Sequence, residues 1–159
     1  MTSSRQIFSR EVLRYALASP DIYVVTADLG YGVWDIFRQY VPDQYINVGA
    51  AEQAMLDVSC GLALAGKTAI AYTITPFFLR GFETLRTYVA HEQLPIILAG
   101  SGRNKDYEVD GFSHDASDMQ YILGTLKIQQ YYPSEPEDIP RILKQILEER
   151  KPAFLSLQR

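Results

Sequence analysis

The feature that most restricts the fold is the regular return of short apolar runs along the chain. "IYVVTA" (22–27), "TAIAYT" (68–73), "LPIILAG" (94–100) and "AFLSLQ" (153–158) have the length and apolar content of strands. "YINV" (45–48) and residues 127–131 are shorter candidates. Between them the apolar spacing changes to that of helices. Ile7, Val12, Tyr15 and Ala16 predict an amphipathic opening helix with Ser3 or Ser4 as its cap. Ala51, Ala54, Met55, Val58, Leu62 and Ala65 keep helical spacing until Gly66, a helix stop. Further helices are predicted over 76–90, with Pro76 in the first turn, near 116–123, and near 135–149. Strands alternating with helices imply an α/β fold, a parallel sheet covered by helices on both faces. Such sheets bind ligands at the carboxyl ends of their strands. The turns after Ala27, Val48, Thr73 and Gly100 are therefore where function is expected. The last of them opens into a long loop, 101–113, of a kind that is often functional.

Composition narrows the partners. A chain of 159 residues suits one domain with one core, and 47% hydrophobic with 21% charged residues argues against disorder. A net charge of -4 gives no electrostatic reason to expect nucleic acid or an anionic membrane. Cys60 is the single cysteine, so an internal disulfide and a cysteine-rich metal site are excluded, and "DVSCGLAL" reads as core packing. The N-terminal segment lacks an uninterrupted apolar block, so neither a signal peptide nor a membrane span is expected. A cytoplasmic protein is the resulting expectation.

Four features fall at the expected strand ends: Asp28, Glu52, the pair Phe77 and Phe78, and "VDGFSHD" with Asp110 and His114. Glu52 stands among small and apolar neighbours, where an unpaired buried carboxylate costs several kcal/mol, so the position asks for a partner. Each feature also has a structural reading. Asp28 suits a turn cap, Phe77 and Phe78 a core, His114 a solvated loop, and Glu52 a helix start favoured by the macrodipole. His91 has no supporting neighbours and is read as structural. Common metal-ligand spacings, a Walker-type loop, GxGxxG and a serine nucleophile elbow are all missing. Residue pattern alone stops at a ligand-binding α/β domain with its ligand open.

The order of these features resembles the pyrimidine-binding domain of transketolase-type thiamine diphosphate enzymes. "ADLG" is similar to the family's Ala-Asp-Leu turn, and "YINVGAAEQAM" to its strand-to-helix segment with Gly-Ile-x-Glu-Gln/His. "VDGFSHD" resembles Glu-Asp-Gly-Pro-Thr-His-Gln, while "GLALAGK", "LPIILAGSG" and "PAFLSLQR" extend the likeness over nearly the whole chain. The resemblance implies thiamine diphosphate as cofactor, with Glu52 sharing a proton with N1′ of its aminopyrimidine ring and so readying the thiazolium C2 for attack on a ketose carbonyl. It implies Phe77 packing against that ring and Asp28 lying close to it. Ile74 and Arg80 stand where an aromatic and a tyrosine are usual on the cofactor wall. His114 corresponds to a histidine on the donor's reacting hydroxyls, Asp110 to an aspartate reading a sugar hydroxyl, and Arg5 and Arg159 to arginines for the substrate phosphate. A serine and a histidine that assist those arginines are Gly32 and Gly102 here, and Phe112, Ser113 and Asp115 also depart from the pattern.

The family's Gly-Asp-Gly…Asn motif, which holds the diphosphate and its metal, is absent from the 159 residues, and so is a C-terminal domain. The resemblance therefore implies a single pyrimidine-binding domain, 1–159, as the subunit of a split transketolase. Its partner is expected to carry the diphosphate-binding domain and the Mg²⁺ or Ca²⁺, in a heterotetramer, with sugars or sugar phosphates as substrates. The alternatives are the pyrimidine-type subunit of a thiamine-dependent 2-oxoacid decarboxylase and a non-catalytic partner domain. Asp110 and His114 favour the sugar reading, because a decarboxylase has less need to read sugar hydroxyls.

Overall fold

The computed structural model describes residues 3–159. Its centre is a six-stranded sheet, all parallel, built from β1 (Ile22–Thr26), β2 (Tyr45–Asn47), β3 (Thr68–Ile74), β4 (Ile96–Ser101), β5 (Gln129–Tyr131) and β6 (Ala153–Leu157). Their order is β2-β1-β3-β4-β6-β5. β3 is held between β1, with Ile70 opposite Val24, and β4, with Ile70 opposite Ile97. The long central strands are buried along their length and the two edge strands have three residues each.

Alternation along each strand divides one apolar sheet between two cores. Ile70, Tyr72, Ile97, Ala99 and Leu155 face a layer made by α1 (Ser4–Ala18), α2 (Asp35–Tyr40) and α6 (Ile139–Glu149). Ala69, Ala71, Ile96, Leu98 and Phe154 face α3 (Glu52–Leu64), the helical segment 75–91 and α5 (Met119–Thr125). Small residues on the β3 face let α3 pack close to the sheet.

The helix signals act as expected. Ser3 caps α1, its side chain accepting from the Gln6 N–H while the Gln6 side chain accepts from the Ser3 N–H. α3 ends where Gly66, at φ +80°, turns the chain: its N–H donates to the Ala63 carbonyl and that of Lys67 to the Leu62 carbonyl. Three helices differ from the sequence reading, and the strands expected over 94–100 and 127–131 run instead over Ile96–Ser101 and Gln129–Tyr131. The helix expected over 76–90 is a composite, 3₁₀ over Thr75–Gly81, a single α-turn (α4, Phe82–Thr84), and π over Leu85–His91. The helix expected near 116–123 begins at Met119, and the one near 135–149 begins as a 3₁₀ turn, Pro136–Asp138. α2 carries no sequence signal, having six residues and no side-chain cap, yet Phe37 from it and the preceding Trp34 lie wholly inside the first core.

Candidate functional site

The carboxyl edge of the sheet carries Asp28, Glu52, Ile74, Phe77, Asp110 and His114, whereas Phe78 and Cys60 lie in the core and His91 lies on the surface beside Glu92 at the far end of the 75–91 segment. Glu52 opens α3 and is 3% exposed. The partner that this position requires is Arg80: its Nη1 donates to Glu52 Oε1 at 2.5 Å. The Arg80 guanidinium also lies over the Phe77 ring, 4.1 Å from the centroid. Phe77 in turn meets the His114 ring edge-on, with centroids 5.0 Å apart. A carboxylate, a cation, an aromatic face and an imidazole thus form one continuous contact series.

The 3₁₀ turn after β3 divides the adjacent phenylalanines. Phe78 is fully buried against Phe154, as the core reading has it, whereas Phe77 stays half-buried at the edge. Ile74 is half-buried at the end of β3, opposite Ser101 of β4. Asp28 sits exposed in a left-handed turn at φ 54°. Its N–H donates to Asn47 Oδ1 at 2.9 Å, and Asn47 Nδ2 donates back to Asp28 Oδ1 at 3.3 Å. Asn47 Oδ1 also accepts from the Gly49 N–H at 3.0 Å, so one amide fixes the two turns that lead to Asp28 and to α3. The sequence reading passed over Asn47; an amide as the last residue of a strand, before a glycine turn, is the signal that could have found it.

Arg103 roots the long loop after β4. Its Nε donates to Ser156 Oγ at 3.1 Å, its Nη2 to the Ser156 carbonyl and its Nη1 to the Pro133 carbonyl, both at 3.0 Å. Burial lowers its pKa, an effect opposed by Asp106, whose carboxylate accepts from the backbone N–H groups of Arg103 and Arg159. The loop neck closes where the Ala116 N–H donates to the Asn104 carbonyl. Two 3₁₀ turns follow within it, Glu108–Asp110 and Phe112–His114, leaving Asp110 exposed and His114 half-buried against Phe77. Asp115 beyond them accepts from the Ser117 hydroxyl and N–H, which lower its pKa.

Arg5 and Arg159 meet at a residue the sequence reading did not single out. Arg5 Nη1 donates to Tyr107 Oη at 3.2 Å, and the Arg159 guanidinium lies 5.0 Å from the Tyr107 ring centroid. Tyr107 also approaches His114, with centroids 6.2 Å apart. The contact series therefore runs from Glu52 through Arg80, Phe77, His114 and Tyr107 to two arginines. Asp28, Ile74 and Asp110 share that edge without joining it.

The donor set fits the aminopyrimidine half of a thiamine cofactor. A buried carboxylate beside an aromatic face already accommodates one planar N–H donor, the Arg80 guanidinium, and a planar aminopyrimidine sharing a proton between N1′ and the carboxyl group would use the same two features. Among the described residues no group of three His, Cys, Asp or Glu side chains is placed to hold a metal ion.

Fold and site together define an α/β domain with candidate ligand groups on the carboxyl edge of a parallel sheet. The chain belongs to the transketolase pyrimidine-binding domain family, which it matches over residues 1–159. One subunit of an apulose-4-phosphate transketolase from Actinobacillus succinogenes is 28% identical over 123 residues, 76% of this chain and 40% of that protein. A 1-deoxy-D-xylulose-5-phosphate synthase from Magnetococcus marinus is 27% identical over 99% of this chain, which corresponds to 26% of its own length. Among solved structures, a split-gene transketolase in the form of an inactive tetramer superposes with a TM-score of 0.86 at 25% identity, covering 99% of this chain and 51% of that one. A transketolase mutant from Pichia stipitis gives 0.85 at 18% identity, a likeness of fold alone. The chain spans about half or less of the length of each.

Proposed function

We propose that this chain is the pyrimidine-binding subunit of a split, thiamine diphosphate-dependent transketolase-like enzyme, which moves a two-carbon ketol unit between sugars or sugar phosphates in the cytoplasm. The observation that carries the reading is Glu52, a carboxylate buried at the start of α3 yet facing a cation and an aromatic face at the ligand edge of the sheet. In this reading Glu52 holds a proton against N1′ of the aminopyrimidine and Phe77 packs on the ring. Asp28, Ile74 and Arg80 complete the cofactor wall. Thiamine diphosphate, when bound, supplies the nucleophilic carbon and the electron sink. His114 and Asp110 bind and orient donor hydroxyls, with Arg5 and Arg159 at the far end of the substrate.

A partner subunit bearing the diphosphate-binding domain, with Mg²⁺ or Ca²⁺ and the diphosphate, completes the site in a heterotetramer. Two relatives, one named as a transketolase subunit and the other as a split-gene transketolase, support a divided enzyme. So do large apolar side chains around the site, Tyr31 at 97% exposure and Val109 and Phe112 at 89%, which a second subunit would cover. Glu52→Gln keeps the shape and removes the ionisable carboxyl group. With the partner present, turnover is expected to fall by at least about a hundredfold while the circular dichroism spectrum is unchanged. Turnover retained in that variant rejects the assignment.

A further inference from the structure

Tyr107 occupies the arginine end of the contact series as a plug. It is 9% exposed, and its ring fills the space above Gly102. A Cβ at position 102 would lie 2.4 and 2.5 Å from two ring carbons, and the backbone there has φ +86°. The missing side chain at 102 and the large one at 107 are thus matched in volume. The hydroxyl is committed as well. It accepts from Arg5 Nη1 and lies 2.8 Å from Ser101 Oγ, to which its own proton can be donated. Behind them the pKa of the Tyr72 phenol is raised by burial, with Ser101 and Arg5 opposing the shift.

Two guanidinium groups therefore converge on a neutral phenol. Among the described residues neither Arg5 nor Arg159 has a carboxylate side chain within ion-pair distance. Arg5 Nε is buried with no hydrogen-bond partner, donor capacity that Tyr107 does not use. A terminal phosphate seeks such converging forks, since charge-assisted bonds to guanidinium are about twice as strong as neutral ones. To reach both groups it would have to expel a packed aromatic ring.

We propose that Tyr107 is the specificity-determining residue of this end: its ring keeps a terminal anion from bridging the partly buried Arg5 and the exposed Arg159, and so selects sugars whose far end is an uncharged hydroxyl. The proposal rests on the reading that the series from Glu52 to Tyr107 lines a sugar site, and it names the substrate class of that site. Removing the ring exposes a latent anion site.

The test is calorimetric titration of the full chain with inorganic phosphate and with ribose 5-phosphate. Tyr107→Ala, checked for folding by circular dichroism, is expected to bind both at least about tenfold more tightly than the wild type. Adding Arg5→Gln to it should abolish the gain. Wild-type chain that binds either probe as tightly as folded Tyr107→Ala overturns the proposal, as does a gain that survives Arg5→Gln. If Tyr107→Ala does not fold, Tyr107→Leu serves instead, because it removes the ring yet keeps an apolar side chain over Gly102. A gain of a few-fold then supports the proposal and no gain overturns it. Neither titration involves thiamine, so failure of the cofactor reading appears separately, in the Glu52→Gln assay.

Discussion

At the scale of single residues, a carboxylate in apolar company could be recognised from the sequence, but the side chain that meets it could not. Glu52 and Arg80 are joined only because α3 and the segment after β3 pack together, a tertiary contact between positions 28 apart. The neighbours Phe77 and Phe78 show the same limit. Composition treats them alike, whereas a 3₁₀ turn sends one to the core and the other to the carboxyl edge of the sheet. Tyr107 went unseen because its role depends on an absent side chain at Gly102. Cys60 was legible. It is buried, and burial, with a smaller contribution from Asp57, pushes its pKa up to about 11. The folded protein should therefore hold a protonated thiol through pH 9, and a thiol-specific reagent should modify it only after denaturant is added. In the unfolded chain the thiol ionises near its ordinary value, so this group's contribution to stability is intact below that value. It is lost as pH rises toward 11. Rapid modification of the native protein at pH 8 would contradict the burial.

At the scale of elements, the most legible were those with both a periodic face and a terminal signal. α1 had Ser3, and α3 had Gly66. The 75–91 segment had a proline start and helical spacing but no signal for its change of hydrogen-bond pattern, which arises where Gly81 lies against Leu56 and Gln53 of α3. α2 had too few residues for its period to register. The end of α3 can be tested cleanly. Space around Gly66 is open, so a methyl group there meets no neighbour and only the left-handed backbone is penalised. Gly66→Ala is expected to lower stability by about 1 kcal/mol, read as a lower urea midpoint with an unchanged slope. A midpoint equal to the wild type would mean that the cap is not held in solution.

At the scale of the whole molecule, the parallel α/β sheet followed from strand length and alternation with helices, and the expectation that a ligand would sit at its carboxyl edge followed from the sheet. Strand order did not, because several crossovers satisfy the same sequence pattern. The loop after β4 was foreseen as functional, yet its anchoring through Arg103 to Ser156 and Pro133 joins segments that only the closed sheet brings together. Assembly is the prediction for this scale. Mixed with its diphosphate-binding partner, the chain should form a complex of two copies of each, measured by light scattering, and should retain thiamine diphosphate only then. Phe112→Asp, on an exposed loop tip, is expected to weaken that complex without altering the circular dichroism of the free chain. Undiminished assembly would remove Phe112 from the interface.

The two border strands are only three residues long, leaving little free ladder for another chain to extend. Recruitment through backbone zippering is thereby discouraged, and the loop-bearing rim is left as the place to dock. Docking and chemistry would then share one surface, so a lesion there that merely loosens the complex would show up at the bench as a poor catalyst.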